Sequence, residues 1–176
     1  MEETKIVLIV GPSGVGKDTL LKLAKKRLKD VDGFNFVKRY ITRKPDKNEK
    51  NYYLRFAAFN ILKESCYFVS HWKAHNNEYG IAKESIKKGV NIISISRGSI
   101  HDFENEYDSV TTIYVTIPKT LLLNRLRLRG RETEAEIMNR LKRTYDKVEA
   151  KSLVKFDNSS HIKTSVKNLV NIFKNI

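Results

Sequence analysis

The chain has 176 residues, 40% of them hydrophobic, which suits one α/β domain with a sizeable core. Its 34 Lys and Arg against 20 Asp and Glu leave a net charge of +14, which favours an anionic ligand. No stretch is long enough to span a membrane, and the single cysteine, Cys66, excludes an internal disulfide or a cysteine cluster for zinc.

The first apolar run, Ile6 to Val10, is too short for a signal peptide and leads straight into glycines. A cytoplasmic protein without a membrane partner is expected, and monomer and homodimer both stay open. The run has no alternation and predicts a fully buried strand. Residues 16–29 predict a helix, with Leu20, Leu21, Leu23, Ala24 and Leu28 on one stripe. A short strand is expected over 34–41, then a loop over 42–51, which holds no apolar residue. Tyr52 to Phe56 and Cys66 to Trp72 are two further strand candidates.

Residues 83–88 suggest a helix stopped by Gly89, and Val90 to Ile95 is again an apolar strand. TTIYVTI, residues 111–117, forms the next strand, and Pro118 opens a helix that runs to Arg129 and stops at Gly130. A second helix is expected over 134–150 and a last one over 161–175, where Ile162, Val166, Leu169, Val170 and Phe173 have helical spacing. Strands alternating with helices imply an α/β fold with a mostly parallel sheet covered on both faces.

GPSGVGKDTL, residues 11–20, places Gly11, Pro12, Ser13, Gly14, Val15, Gly16 and Lys17 between a buried strand and an amphipathic helix. That context is what a phosphate-binding loop requires. Its glycines let backbone N–H groups converge on phosphate oxygens, the helix N-terminus adds partial positive charge, and Lys17 supplies a cation to the terminal phosphates. Such loops normally carry Ser or Thr after the lysine; this one has Asp18. A bare carboxylate repels a triphosphate, whereas a magnesium ion between the two reverses the sign. Asp18, with Thr19, is therefore expected to hold or orient Mg²⁺ beside ATP.

A second basic signal lies at 121–132, LLLNRLRLRGRE. Arg125 and Arg129 are four apart and share a helix face, Arg131 follows the helix end, and Arg140 and Arg143 lie three apart on the next helix. Phosphoryl transfer is carried mostly by positioning and by cations that neutralise the moving group. Two helices joined by a short arginine-bearing turn, about 125–143, predict a lid in which Arg129 and Arg140 meet the transferring phosphoryl group. Nucleic acid is not expected as the main partner, because a lysine-rich surface with an anionic small substrate accounts for the same charge.

From end to end, GPSGxGK, the Arg-Tyr-Ile-Thr-Arg stretch at 39–43, Tyr79-Gly80 and the Arg-x3-Arg lid resemble the guanylate kinase superfamily. The resemblance implies a single P-loop NTPase domain over 1–176, with an acceptor-binding subregion at about 34–82. Guanylate kinases carry a base-reading Glu in Phe-Ile-Glu-Trp, and the matching stretch here is Phe68-Val69-Ser70-His71, with Ser70 in place of the acid. Ser94-Ile95-Ser96-Arg97 stands where they have aspartates, and Asp46 where they have a second arginine. Lys17-Asp18, Ser70-x-Trp72-Lys73-Ala74-His75, Ser96-Arg97, Arg129-Gly130-Arg131-Glu132 and Asp157-Asn158 resemble the ribose 1,5-bisphosphate phosphokinases instead.

That family implies transfer of a phosphoryl group from ATP to ribose 1,5-bisphosphate, giving 5-phosphoribosyl 1-diphosphate. A sugar with two phosphates and no base calls for arginines and hydroxyls rather than base-reading acids. The acceptor set is then Arg39, Arg43 and Arg97 with the hydroxyls of Tyr40, Thr42, Tyr52, Tyr79, Ser94 and Ser96, and His75 to polarise a sugar hydroxyl. Either Tyr52 or Tyr53 faces the acceptor, and Tyr52 is the choice. Adenine would rest near Arg125 and Asn158. The alternatives are a nucleoside monophosphate kinase, guanylate kinase above all, and a non-catalytic binding module on the same fold.

Overall fold

The computed structural model describes residues 3–44, 51–130, 133–143 and 147–176. Pro45, Asp46, Arg131 and Glu132 lie outside the described residues, as do the side chains of Arg129, Arg140 and Arg143.

The elements are β1 (Thr4–Val10), α1 (Lys17–Arg27), β2 (Phe34–Phe36), β3 (Tyr40–Ile41), β4 (Tyr52–Tyr53), α2 (Phe56–Glu64), β5 (Phe68–Ala74), β6 (Asn77–Ala82), β7 (Gly89–Ser94), α3 (Ile100–Glu106), β8 (Val110–Thr116), α4 (Lys119–Arg129), α5 (Glu134–Arg143), β9 (Leu153–Asp157) and α6 (Ile162–Lys174). A mostly parallel five-stranded sheet has the order β2-β7-β1-β8-β9, and a four-stranded sheet has the order β4-β3-β6-β5. The strands of the five-stranded sheet carry the most buried residues: Ile6 to Val10, Ile93, Ile113 and Val115 are all 0% exposed. This is why their sequences are runs of apolar residues rather than alternating ones.

The chain divides into two compact units. The first holds residues up to Leu8 and from Gly33 to Thr111. Its four-stranded sheet is the hairpin β5–β6 with β3 antiparallel to β6 and β4 parallel to β3. Phe59 of α2 packs on Phe68 of β5 with ring centroids 4.8 Å apart, and Tyr40, Leu54, Leu62 and Tyr67 close around them. The second unit holds Ile9 to Asp32 and Thr112 to Ile176. There α1 packs on α6, whose buried Val166, Leu169, Val170 and Phe173 form the stripe expected from their spacing, and α4 packs on α5.

Several expectations need correction. Residues 83–88 form no helix, only one 3₁₀ turn at Lys83–Ser85. The buried Asn91 explains this: its amide donates to the carbonyls of Lys87 (2.7 Å) and Gly89 (3.1 Å), and its oxygen accepts from the Lys87 N–H (2.9 Å). Lys87 and Gly89 are thereby spent on a side chain instead of a helix. Gly89 does stop the segment, with φ +87° and no room for a Cβ, which would lie 2.6 Å from the Gly33 carbonyl oxygen. The strand expected over 34–41 is two strands in different sheets. Tyr52 to Phe56 is strand only as far as Tyr53, and Phe56 opens α2. Of the helix expected over 134–150, Glu134–Arg143 is helical and residues 147–150 are irregular, while 144–146 lie outside the described residues. The strands β6 and β9 and the helices α2 and α3 had no counterpart in the sequence reading.

Candidate active site

The phosphate loop lies in the second unit. Gly16 caps α1 with φ +97°, a left-handed conformation that a side chain would strain. It makes no side-chain cap, so the first N–H groups of α1 are presented as they would be to an anion. Lys17 folds over the loop, and its ammonium donates to the carbonyls of Gly11 (2.6 Å) and Pro12 (2.9 Å). Pro12 and Val15 are buried and Ser13 is exposed, as are Asp18 and Thr19 in the first turn of the helix. Two exposed oxygen donors beside a phosphate loop suit a hard cation that keeps several of its waters.

The loop is braced from behind by two residues far along the chain. Asn158, just past β9, is 3% exposed, and its amide donates to the Val15 carbonyl at 2.8 Å. Arg125, on α4, donates to the same carbonyl at 3.2 Å and to the carbonyl of Asn158 at 3.3 Å. A Cβ on Gly16 would stand 2.8 Å from the Asn158 amide nitrogen. Arg125 and Asn158, expected near adenine, are thus bound to the loop itself. Leu122 and Leu126 of α4 flank Arg125 in sequence and pack against Gly14.

The corner between α4 and α5 is held by Arg127, which donates to the Glu134 carboxylate from Nε (3.1 Å) and from its terminal nitrogen. The Arg127 guanidinium holds the Glu134 carboxyl below the usual carboxylate range. Thr133 and Glu136 start α5 with a capping box: the Thr133 N–H donates to the Glu136 carboxylate (2.8 Å) and the Glu136 N–H to the Thr133 hydroxyl (3.3 Å). Arg129 and Arg140 occupy these two helices, but their side chains lie outside the described residues.

The acceptor candidates lie in the first unit. Tyr40 and Tyr52 face one another across β3 and β4 with ring centroids 4.9 Å apart, and the Lys38 ammonium sits 5.0 Å from the Tyr52 ring. Tyr79, 8% exposed, stacks on Trp72 at 5.5 Å, and the Arg39 guanidinium lies 5.9 Å from its ring. The Thr42 hydroxyl accepts the Glu78 N–H at 2.9 Å and so ties β3 to β6. Arg43 is exposed in the loop after β3. Ser94 ends β7, nearly buried at 9%, and Ser96 caps the 3₁₀ turn Arg97–Ser99. His75 has φ +48° and Asn76 +59°, so His75 belongs to the tip of the two-residue β5–β6 turn and is exposed there.

Two groups escaped the sequence reading. The Tyr67 hydroxyl donates to the Glu84 carboxylate and lies 3.3 Å from the Tyr40 hydroxyl. The bond to Glu84 and then that to Tyr40 push the Tyr67 phenol well above its ordinary range. The second is Ser70 with Asp102. Ser70 is 2% exposed, and its hydroxyl donates to Asp102 at 2.5 Å. Only the absence of α3 from the sequence reading hid Asp102.

The AAA domain family model (AAA_18) matches residues 7–140. A guanylate kinase from Anaplasma phagocytophilum superposes with a TM-score of 0.63 at 18% identity, covering 99% of this chain and 86% of that one. A gluconokinase from Sinorhizobium meliloti superposes at 0.52 with 11% identity, covering 99% and 94%. The family match and the shared fold define a P-loop nucleotide-binding domain.

Among the relatives, the ribose 1,5-bisphosphate phosphokinase PhnN of Desulfomicrobium baculatum is 36% identical over 89% of this chain and 87% of its own length. PhnN of Thiobacillus denitrificans is 36% identical over 81% and 78%, and PhnN of Agrobacterium fabrum 31% identical over 96% of both. The chain belongs to the ribose 1,5-bisphosphate phosphokinase (PhnN) family of kinases.

Proposed function

We propose that the chain transfers the γ-phosphoryl group of ATP to ribose 1,5-bisphosphate, giving 5-phosphoribosyl 1-diphosphate and ADP, in the cytoplasm. The observation that carries this reading is the match to relatives of that name over most of their length, with 31–36% identity.

In the proposed reaction an oxygen of the sugar's 1-phosphate attacks the γ-phosphorus as the bond to the β,γ-bridging oxygen breaks. The attacking oxygen is already ionised at neutral pH, so no general base is required and alignment carries the rate. Lys17 turns from the Gly11 and Pro12 carbonyls to the β- and γ-phosphates. Arg125 and Asn158 hold the Val15 carbonyl and with it the curvature of the loop, while Arg129 and Arg140 meet the charge of the moving group. Asp18 and Thr19 would hold Mg²⁺, which supplies neutralisation between carboxylate and phosphates. Arg39, Arg43 and Arg97 bind the two sugar phosphates, and Tyr40, Thr42, Tyr52, Tyr79, Ser94 and Ser96 offer hydroxyls. His75, at a turn tip, is the weakest member of that set.

An acceptor screen with ATP tests the reading, comparing ribose 1,5-bisphosphate, GMP and AMP. ADP release with the first alone is expected, and rapid release with GMP would overturn the assignment. Asp18→Ala should raise the magnesium concentration needed for half-maximal turnover; an unaltered magnesium curve removes Asp18 from the metal site.

A further inference from the structure

Ser70 stands where relatives with a purine acceptor carry a carboxylate, yet a carboxylate reaches the same place from another element. A bulge in β5 between Phe68 and Ser70 shifts the register against β6, so that Ser70 pairs with Ile81. Bulges re-aim the side chain that follows them. Here the re-aimed hydroxyl is buried, and it donates to Asp102 Oδ2 at 2.5 Å, the short end of the range for a hydroxyl on a carboxylate. Asp102 itself is exposed, in the first turn of α3. The 3₁₀ turn Arg97–Ser99 runs directly into that helix, and both pack against β5. Asp102 is thereby tethered to the strand that carries Ser70, on the helix that follows the turn carrying Arg97.

The bond is not needed to seat α3, which is anchored by Ile100 and Phe103, 1% and 0% exposed. Nor can the carboxylate serve a sugar phosphate, whose charge it repels. An ionised carboxylate is purely an acceptor with about four lone-pair sites, and Ser70 occupies one. What it can take is an O–H or N–H donor on a neutral part of the substrate. In a ribose bisphosphate the neutral donors are the two ring hydroxyls.

We propose that Asp102, oriented by the buried Ser70, accepts hydrogen bonds from the ring hydroxyls of the acceptor sugar and makes the kinase selective for ribo over deoxyribo acceptors. Asp102 contacts the substrate and Ser70 is a positioning residue. The inference rests on the acceptor assignment of the preceding section. A site built around such a bond discriminates strongly against the analogue lacking the hydroxyl, because its own polar group is then left unpaired.

The test measures kcat and KM with ATP for ribose 1,5-bisphosphate and its 2-deoxy and 3-deoxy analogues, using wild type, Asp102→Asn and Ser70→Ala. Wild type should prefer the ribo acceptor over at least one analogue by about 10- to 100-fold in kcat/KM. Asp102→Asn should erase most of that ratio through the ribo KM, with the ATP KM unmoved; Ser70→Ala should give an intermediate ratio. The unmoved ATP KM separates a lost contact from a misfolded variant, and the milder Ser70→Ala keeps the question open to test if Asp102→Asn fails to fold. Ratios equal to wild type in both variants, or a wild type indifferent to both deoxy analogues, would overturn the inference while leaving the acceptor assignment standing. Turnover of GMP with none of ribose 1,5-bisphosphate sinks that assignment and this inference with it, and a GMP KM raised by Asp102→Asn would then mark the carboxylate as a reader of the base.

Discussion

The two units present their candidate binding groups by different means. In the second, the candidate phosphate-facing groups are backbone: one short segment, residues 11–17, shaped by glycine and propped from behind by Asn158 and Arg125. In the first, the candidate groups are side chains on β3, β4, β5, β6 and the turn after β7, some held by a partner of their own, as Thr42 is by Glu78 and Ser70 by Asp102. A backbone site tolerates little variation because one distorted peptide displaces every N–H. A side-chain site can be altered one residue at a time, which is how a common scaffold comes to accept different phosphate acceptors.

The contrast predicts where single substitutions act. The largest effect is expected from Lys17→Ala, which removes a cation from the phosphates together with the ties to the Gly11 and Pro12 carbonyls. By analogy with the loss of one transition-state donor, kcat should fall about 10²- to 10³-fold or more, measured at saturating acceptor. A fall confined to KM for ATP would place Lys17 in binding alone.

Next comes Arg43→Ala. If the side-chain site acts residue by residue, it should raise the acceptor KM by about 10- to 100-fold, the worth of a charged hydrogen bond, with the ATP KM unchanged. An acceptor KM and kcat like wild type would take Arg43 out of the site.

Asn158→Ala sharpens the opposite half of the comparison. It leaves the Val15 carbonyl to Arg125 alone and should cost about 1–3 kcal/mol. That lowers Tm by roughly 2–10 °C in a chain of this size. The ATP KM should rise and the acceptor KM stay constant. If Asn158 serves adenine rather than the loop, the ATP KM rises without a change in Tm.

The same contrast decides what could be read in advance. The loop was legible because its chemistry is contiguous: strand, glycines, lysine and helix follow one another, and the pattern of β1 and α1 points to the same local structure. Its props were legible only as residues of interest. That Arg125 and Asn158 meet at the carbonyl of Val15, 110 and 143 positions away, is a product of tertiary packing. In the acceptor region Tyr40 and Thr42 could be named because they sit in a recognisable stretch. Asp102 could not, since its pairing with Ser70 depends on a bulge and on α3, a seven-residue helix too short to show a period. Residues 83–88 looked helical from their termination signals, and a buried asparagine overrode them.

The smallest effect belongs to the corner of α4 and α5. Arg127 and Glu134 are both exposed, so their pairing is screened by water and contributes little. Its sign is nonetheless definite. Folding holds the Glu134 carboxyl below its unfolded value, so the contribution is present above the ordinary glutamate range and disappears as pH falls through the folded value. Arg127→Gln should therefore lower Tm at pH 7 by about 1 °C, and the difference should close as acidification passes below the ordinary glutamate range and protonates Glu134 in the folded chain. High salt should close it too. If turnover instead drops severalfold at unchanged Tm, the corner serves lid movement rather than stability, and the second unit's arginines act through helix position as well as through charge.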